Sequence, residues 1–397
     1  MLPIAEPPIR GGWVAVDDGR VRGLGQGTPS SAEVRELGRV AILPGLANAH
    51  THLELSHLHE QVPPSTDFVS WIRAVVTLRR RDSDPAASHV VEAVQKGIAE
   101  AVRCGTALVG DISNTLVPVE LLTRSRLAGV VFYELIRFNA PDPAGFVEQA
   151  RRQMSMLTVN DRVRVSLAAH APYSVSPLVF QAIRRAVDAG TFGPTSVHLS
   201  ESADEVQFIK TGGGPWRSFL DDVGAWDPGW RPSGGSPVQY LDECGFLSAS
   251  VLAVHGVQMT ASDLARLAAH GATLVTCPRS NARTGAGVPP IDAFYRSGVR
   301  VAIGTDSLAS TPDLNLFAEL AELRRIAPAV PAAALLDSAT RQGARALGFD
   351  ADYGTIEPGK RARLLTVAIP DAVDDVEEYL VSGIQPDQIR WLDAETS

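Results

Sequence analysis

Short apolar runs alternate with amphipathic stretches along most of this 397-residue chain. Eight runs stand out: AILPGLANAH (41–50), TALVGDIS (106–113), GVVFYELI (129–136), RVRVSLAAH (162–170), TSVHLS (195–200), VLAVHG (251–256), ATLVTC (272–277) and VRVAIGTD (299–306). Between them lie stretches such as VVEAVQKGIAEAVRC, LVFQAIRRAVDAG and DLARLAAHG. Their apolar residues recur at i, i+3 and i+4, the spacing of one helix face. Near-continuous apolar strands alternating with helices predict a parallel sheet covered by helices. Eight such units over about 260 residues fit an α/β fold of the (β/α)8 TIM-barrel type. An open doubly wound sheet is the alternative, but it would need an early G-x-G-x-x-G. GLGQG (23–27) is too short and does not open a helix.

The ends follow a different rhythm. GGWVAVDDGRVRGLG gives two alternating strands around a DG turn, and the tail YGTIEPGKRARLLTVAI carries a PG turn. Both are hairpin signals. They predict a small β-sandwich formed by both termini, residues 1–45 with 346–397, beside a barrel over 46–345. The Gly-, Pro- and Trp-rich stretch 211–237 has no periodicity and is expected to be a long loop over the barrel mouth.

Composition narrows the class. Hydrophobic residues make up 45% and charged ones 20%, a soluble globular balance. With 36 Lys and Arg against 45 Asp and Glu, no basic face dominates, so no nucleic-acid partner is expected. No uncharged apolar run reaches membrane-spanning length, so no membrane partner is expected either. The opening MLPIAEPPIRGG lacks the pattern of a signal peptide. Three widely spaced cysteines without C-x-x-C support neither a disulfide framework nor a Cys-ligated zinc site. A cytoplasmic location is the expectation.

The candidate chemistry sits at strand ends. The first run ends in His50-Thr51-His52, the fourth in His170, the fifth in His198, the sixth in His255 and the eighth in Asp306. Side chains at the C-terminal ends of barrel strands converge on one mouth. Both histidines of H-x-H on a strand point to one side. Imidazoles with one carboxylate suit a divalent ion, Zn2+ first and Fe2+ as the alternative. A lone histidine at a strand end is more often a hydrogen-bonded core residue, but five at corresponding ends with an aspartate form a constellation. His50, His52, His198 and Asp306 are therefore the candidate metal ligands. Glu201, three residues after His198, is a candidate general acid/base, or simply a carboxylate at a helix start. His57, His59, His89 and His270 read as surface or packing residues.

These motifs carry a resemblance. PGLANAHTHLE, HAPYSVS, HLSES, LAVHGVQMT, CPRSN and GTDSLAS, in this order, resemble the amidohydrolase superfamily, in its branch of mononuclear-metal deaminases and chlorohydrolases. The resemblance implies one metal ion on His50, His52, His198 and Asp306, with His255 contacting the attacking hydroxide or the developing oxyanion. It implies Glu201 as proton shuttle, Asp306 as both ligand and proton acceptor, His170 as a hydrogen-bond partner of the substrate ring, and Ser280 and Asn281 as residues shaping the mouth. No lysine follows the fourth strand, so a carbamylated two-metal bridge is not expected. In the tail, Arg363 replaces an acidic residue of the usual pattern, and only a local surface change is expected there.

A second departure bears on substrate. Members of this branch acting on adenosine-like nucleosides carry a glutamate for the ribose hydroxyls eight residues after a tryptophan like Trp71. Here that position is Arg79, followed by Arg80 and Arg81, while an acidic residue, Glu54, follows the metal pair, and the resemblance makes Trp71 and Glu54 candidate substrate-binding residues. The start HTHLELS with FVSWIRAVVTLRR resembles members assigned to 6-aminodeoxyfutalosine deamination. Such a substrate carries a benzoate, for which arginine is the natural partner. Arg79 and Arg137 are the candidate anion contacts, and Arg79 to Arg81 as a solvated helix end is the other reading.

The resulting expectation is a hydrolase of C–N bonds. It would hydrolytically deaminate a purine-type heteroaromatic amine, a small-molecule substrate, and work as a homodimer or other homo-oligomer. The alternative is the same scaffold with another leaving group, a triazine chloride or alkylamine or a cyclic amide. A non-catalytic scaffold ranks last, because it would be expected to have lost ligands that this chain keeps.

Overall fold

A computed structural model of the chain describes residues 1–29, 33–81, 84–190 and 193–392. Thirteen strands form among them: β1 (Gly12–Asp17), β2 (Arg20–Gln26), β3 (Val40–Pro44), β4 (Leu46–Thr51), β5 (Thr106–Ser113), β6 (Ala128–Leu135), β7 (Val163–Ala169), β8 (Thr195–Leu199), β9 (Val251–His255), β10 (Thr273–Thr276), β11 (Arg300–Ile303), β12 (Leu364–Ala368) and β13 (Ile389–Trp391).

Strands β4 to β7 form one parallel sheet and β8 to β11 a second. The two sheets meet at both edges. At one, the His198 N–H donates to the His170 carbonyl at 2.8 Å and the Thr195 hydroxyl to the Leu167 carbonyl at 2.7 Å. At the other, the amides of Thr305 and Asp306 donate to the His50 carbonyl at 3.1 and 3.0 Å. Gly304 makes that second approach possible, since a Cβ there would lie 2.7 Å from both Cβ and O of His50. Side chains from β4, β5, β6, β7, β9, β10 and β11, among them Ala47, Leu108, Val130, Ala168, Val254, Val275 and Ala302, share one buried cluster. Small and β-branched residues suit that space because strands on opposite sides must approach closely.

The run at 41–50 is not one strand. β3 pairs antiparallel with β12, whereas β4 pairs parallel with β5. The switch falls at Gly45, whose amide donates to the Arg363 carbonyl at 2.8 Å, while the next amide, of Leu46, donates to Gly105 at 2.9 Å. A Cβ on Gly45 would come within 2.6 Å of the Ala107 Cβ, so this crossing needs glycine. Two adjacent apolar strands without a polar break read as one run.

Both termini build small antiparallel sheets. β1 and β2 form a hairpin through Asp18 and Gly19, both at positive φ as a type I′ turn requires. β12 lies between β3 and β13. Val21, Ile42, Ile356 and Leu364 share a buried cluster that joins the hairpin to this second sheet. Arg363 is not a surface detail. Its guanidinium lies 4.2 Å from the Trp391 ring centroid, and it lines an open cleft of about 1110 Å³ between the terminal sheets. Burial there pulls its pKa down to about 10.

The segment 211–237 is also more ordered than expected. It contains a helix, Pro215–Asp222, started by proline at a position that needs no amide. Trp216 and Trp230 are buried, the latter stacked on Phe208 with ring centroids 4.9 Å apart. Eight residues are too few for a helical period to show in the sequence. Among the described residues, no helix is long and apolar enough to cross a membrane.

Candidate active site

Three imidazoles and a carboxylate meet at the C-terminal ends of the parallel strands. His52 Nε2 lies 3.2 Å from His50 Nε2 and 3.3 Å from His198 Nε2. Asp306 Oδ1 lies 3.5 Å from His52 Nε2 and 3.8 Å from His50 Nε2. A tetrahedral ion with metal–nitrogen bonds of about 2.0–2.1 Å sets its ligand atoms about 3.3–3.4 Å apart. His50, His52 and Asp306 present donor atoms within 4.8 Å of one another, the spacing of ligands to one small divalent ion, and His198 joins them through its 3.3 Å approach to His52. Burial, followed by the neighbouring histidines, holds His50 and His52 well below the ordinary histidine value, and burial first brings His198 to about 4. The rings are neutral, as ligation requires.

Hydrogen bonds decide which ring nitrogen is available. His198 Nδ1 faces the His170 carbonyl at 2.9 Å, so it carries the proton and leaves the Nε2 lone pair free for an ion. His255 has the opposite arrangement. Its Nδ1 accepts from the Asn281 side-chain amide at 2.9 Å, which puts the proton on Nε2, 3.5 Å from Glu201 Oε1. Of the histidines crowded here, His198 turns a lone pair on Nε2 toward the cluster, while His255 offers a donor. The Ser280 hydroxyl donates to Asp306 Oδ2 at 2.5 Å, which holds the oxygen turned away from the His52 contact. Asp306 is nonetheless pushed up to about 6, mainly by burial. Glu201 is pushed well above the carboxylate range by burial and then by the nearby Asp306 and Glu205.

Backbone strain concentrates here. Ser200, His255 and Asp306 adopt φ of +53°, +79° and +61°, values uncommon for residues with a side chain. Each lies at or just past the end of a strand that delivers a site residue.

A cavity of about 190 Å³ opens beside this cluster. His52, His170, His198, Glu201, His255 and Asp306 line its polar end, and Phe68, Trp71, Ile72, Val75, Trp216 and Phe219 are among its apolar wall. The wall comes from the helix Phe68–Arg81 and the short helix Pro215–Asp222. Arg79 reaches the cavity, held by Glu54 at 2.9 Å and by Asn114 at 2.9 Å. It is not a solvated helix end. His170 is fixed through Nδ1 by the Ser174 hydroxyl at 2.5 Å.

Four expected substrate contacts fall elsewhere. Glu54 is buried behind the cavity, where its carboxylate accepts from Ser113, Thr115, the Asn114 amide and Arg79. Arg137 is exposed, with its guanidinium 4.9 Å from the Phe146 ring centroid, and does not line the cavity. Ser280 and Asn281 are fully buried beneath the site rather than at its mouth, each bonded to one site residue.

The amidohydrolase family signature matches residues 41–385, most of the chain. The chain belongs to the amidohydrolase family. This amidohydrolase is 34% identical over 333 residues to the aminodeoxyfutalosine deaminase of Deinococcus radiodurans, covering 81% of this chain and 76% of that one. It is 28% identical to the 5-methylthioadenosine/S-adenosylhomocysteine deaminase of Halobacterium salinarum, over 88% of this chain and 78% of that protein. In structure it resembles an adenosine deaminase from Xanthomonas campestris with bound zinc, at a TM-score of 0.82 and 27% identity, over 98% of this chain and 88% of that one.

Glu134, Asn114, Tyr173 and Trp216 also belong to this amidohydrolase's site, though no motif in the sequence marks them as such. Glu134, on β6, is buried, lines the cavity and sits 3.5 Å from His198 Nδ1. Asn114, just past β5, donates to Glu134 Oε2 at 2.8 Å and accepts from Arg79. Tyr173 stacks on Trp216 with ring centroids 3.7 Å apart, and both line the cavity. Glu134 left one signal, a lone carboxylate inside the apolar run GVVFYELI.

Proposed function

We propose that this amidohydrolase deaminates a purine-type, nucleoside-like heteroaromatic amine by hydrolysis, with 6-aminodeoxyfutalosine as its substrate. Water replaces the amine on the ring carbon, and ammonia leaves. The observation that carries this reading is the cluster of His50, His52, His198 and Asp306 set beside the cavity that Glu201 and the His255 donor line. The resemblance to an aminodeoxyfutalosine deaminase supports the choice of substrate.

His50, His52, His198 and Asp306 would hold one divalent ion, zinc first and Fe2+ as the alternative. Such an ion supplies Lewis acidity and makes hydroxide available near neutral pH. The protein's own groups do the rest. Glu201, buried with its proton retained, gives that proton to the ring nitrogen beside the reacting carbon, regains one from the newly added hydroxyl as the carbonyl forms, and passes it to the departing amine, which leaves as ammonia. Asp306 accepts the other proton of the attacking water and returns it to Glu201 after ammonia has left. The His255 N–H donates to the oxygen as its negative charge grows, and Asn281 keeps it oriented for that task. His170 contacts the heterocycle.

The far end of the substrate lies along Trp71, Phe68 and Trp216. Arg79 there meets the benzoate carboxylate, since two of its donors are committed to Glu54 and Asn114 and others remain. The same reading treats 46–345 as the catalytic (β/α)8 barrel and 1–45 with 346–397 as a β-sandwich domain, in a cytoplasmic homo-oligomer. Ammonia release from a panel of amino-purine nucleosides by the metal-loaded protein tests it. Release from 6-aminodeoxyfutalosine is expected, and silence across the panel would refute it.

A further inference from the structure

Glu201 is delivered by a short, strained link between β8 and the helix Ala203–Thr211, and something must hold that link. Ser200, in the left-handed region at φ +53°, turns the chain out of the strand. Its amide donates to Glu205 Oε1 at 2.9 Å, and the Glu201 amide donates to Glu205 Oε2 at 2.8 Å. Both oxygens of one carboxylate thus hold two successive peptide groups, one at the strained residue and one at the proton shuttle itself.

Glu205 is fully buried and does not line the cavity, so it does not touch substrate. It is the third residue of its helix, where a glutamate commonly reaches back to the amide of the N-cap residue. The N-cap here is Ser202, whose hydroxyl accepts from the Glu205 amide at 3.2 Å. The two Glu205 contacts at 2.9 and 2.8 Å fall one and two residues further back, on the link rather than on the helix end. Burying a carboxylate without a cation is costly, and only strong hydrogen bonds offset it. An ordinary helix cap does not need that expense.

We infer that Glu205 is a positioning residue for the proton-transfer step: its carboxylate clamps the Ser200 and Glu201 amides and so aims the Glu201 side chain at the substrate and at His255. The inference rests on the deaminase reading for its kinetic consequence but not for its geometry.

The test uses the zinc-loaded full-length protein with Glu205→Gln, which keeps the shape but sets an NH2 donor against one of the two amides. With 6-aminodeoxyfutalosine, kcat is expected to fall about 10- to 100-fold, the scale of a misplaced catalytic group. KM should stay within about twofold, as for a loss confined to the chemical step. Metal content should be unchanged. In a Glu201→Gln background the second substitution should cost nothing further, because there is no shuttle left to aim. Backbone amide exchange at residues 200 and 201 should quicken, and this measurement does not depend on any substrate. If the deaminase reading fails, turnover is absent in the wild type while the exchange result still decides the clamp. Glu205→Asp, which keeps the charge but shortens the reach, replaces the glutamine variant if that does not fold. Unchanged exchange, loss of metal, or a cost that adds fully to that of Glu201→Gln would overturn the inference.

Discussion

The Asn281 side-chain amide donates to His255 Nδ1 at 2.9 Å and thereby fixes the His255 proton on Nε2, facing Glu201. One hydrogen bond from a fully buried asparagine distinguishes this donor histidine from His198, whose Nδ1 proton is held by the His170 carbonyl. Asn281→Leu should leave His255 free to take the other tautomer. The expected result is a kcat loss of about 10²-fold, as when an oxyanion donor is removed, with metal content intact. An unchanged kcat would show that the tautomer is set elsewhere.

One divalent ion per chain is expected from elemental analysis. His198→Ala should abolish most of that binding, because His50, His52 and Asp306 alone leave the site a ligand short. Two ions per chain would refute the single-site arrangement. A second ion would find donors in Glu134, His170 and His198, which lie within 4.8 Å of one another. His198 Nδ1 argues against a second ion there, since it is committed to the His170 carbonyl.

Glu201→Gln should retain fold and metal and lose turnover by at least about 10²-fold, the usual contribution of a positioned acid/base group. Retained activity would reduce Glu201 to a carboxylate at a helix start.

Arg79→Met should raise KM for a carboxylate-bearing substrate about ten- to a hundred-fold and spare adenosine, the scale of about 1.5–3 kcal/mol for a hydrogen bond to a charged group. It should also lower stability, because Glu54 is buried and loses its cation. Adding Glu54→Gln should recover stability but not the KM. Equal KM losses on both substrates would show that Arg79 serves the fold alone.

Much of this was legible in the residues. Strand β5 occupies 106–113 as its apolar run did, and the histidines at 50, 52, 170, 198 and 255 converge because parallel strands end on one face. The misreadings have physical causes. At Gly45 one apolar run serves two sheets, and hydrophobicity carries no trace of which partner a strand takes. The segment 211–237 looked unstructured because glycine and proline hide an eight-residue helix anchored by Trp216. Arg79 stands eight residues after Trp71 and Arg137 follows the third apolar run, and neither position tells which way the side chain turns. Only packing shows that Arg79 turns inward onto Glu54 while Arg137 lies over Phe146. The motif CPRSN marks Ser280 and Asn281 as site residues but carries no sign that both are buried beneath the site. They work from beneath, by holding Asp306 and His255.

The cluster around His52, with Glu201 and His255 beside it, is built to remove an amine from a purine-type ring. The most direct measurement is kcat/KM for ammonia release by the zinc-loaded wild type from 6-aminodeoxyfutalosine, adenosine and a chlorotriazine side by side. Ammonia release from 6-aminodeoxyfutalosine is expected at the highest kcat/KM of the three, with no chloride from the triazine. Adenosine outperforming it would overturn the substrate assignment, and chloride release without ammonia from either nucleoside would contradict the deaminase itself.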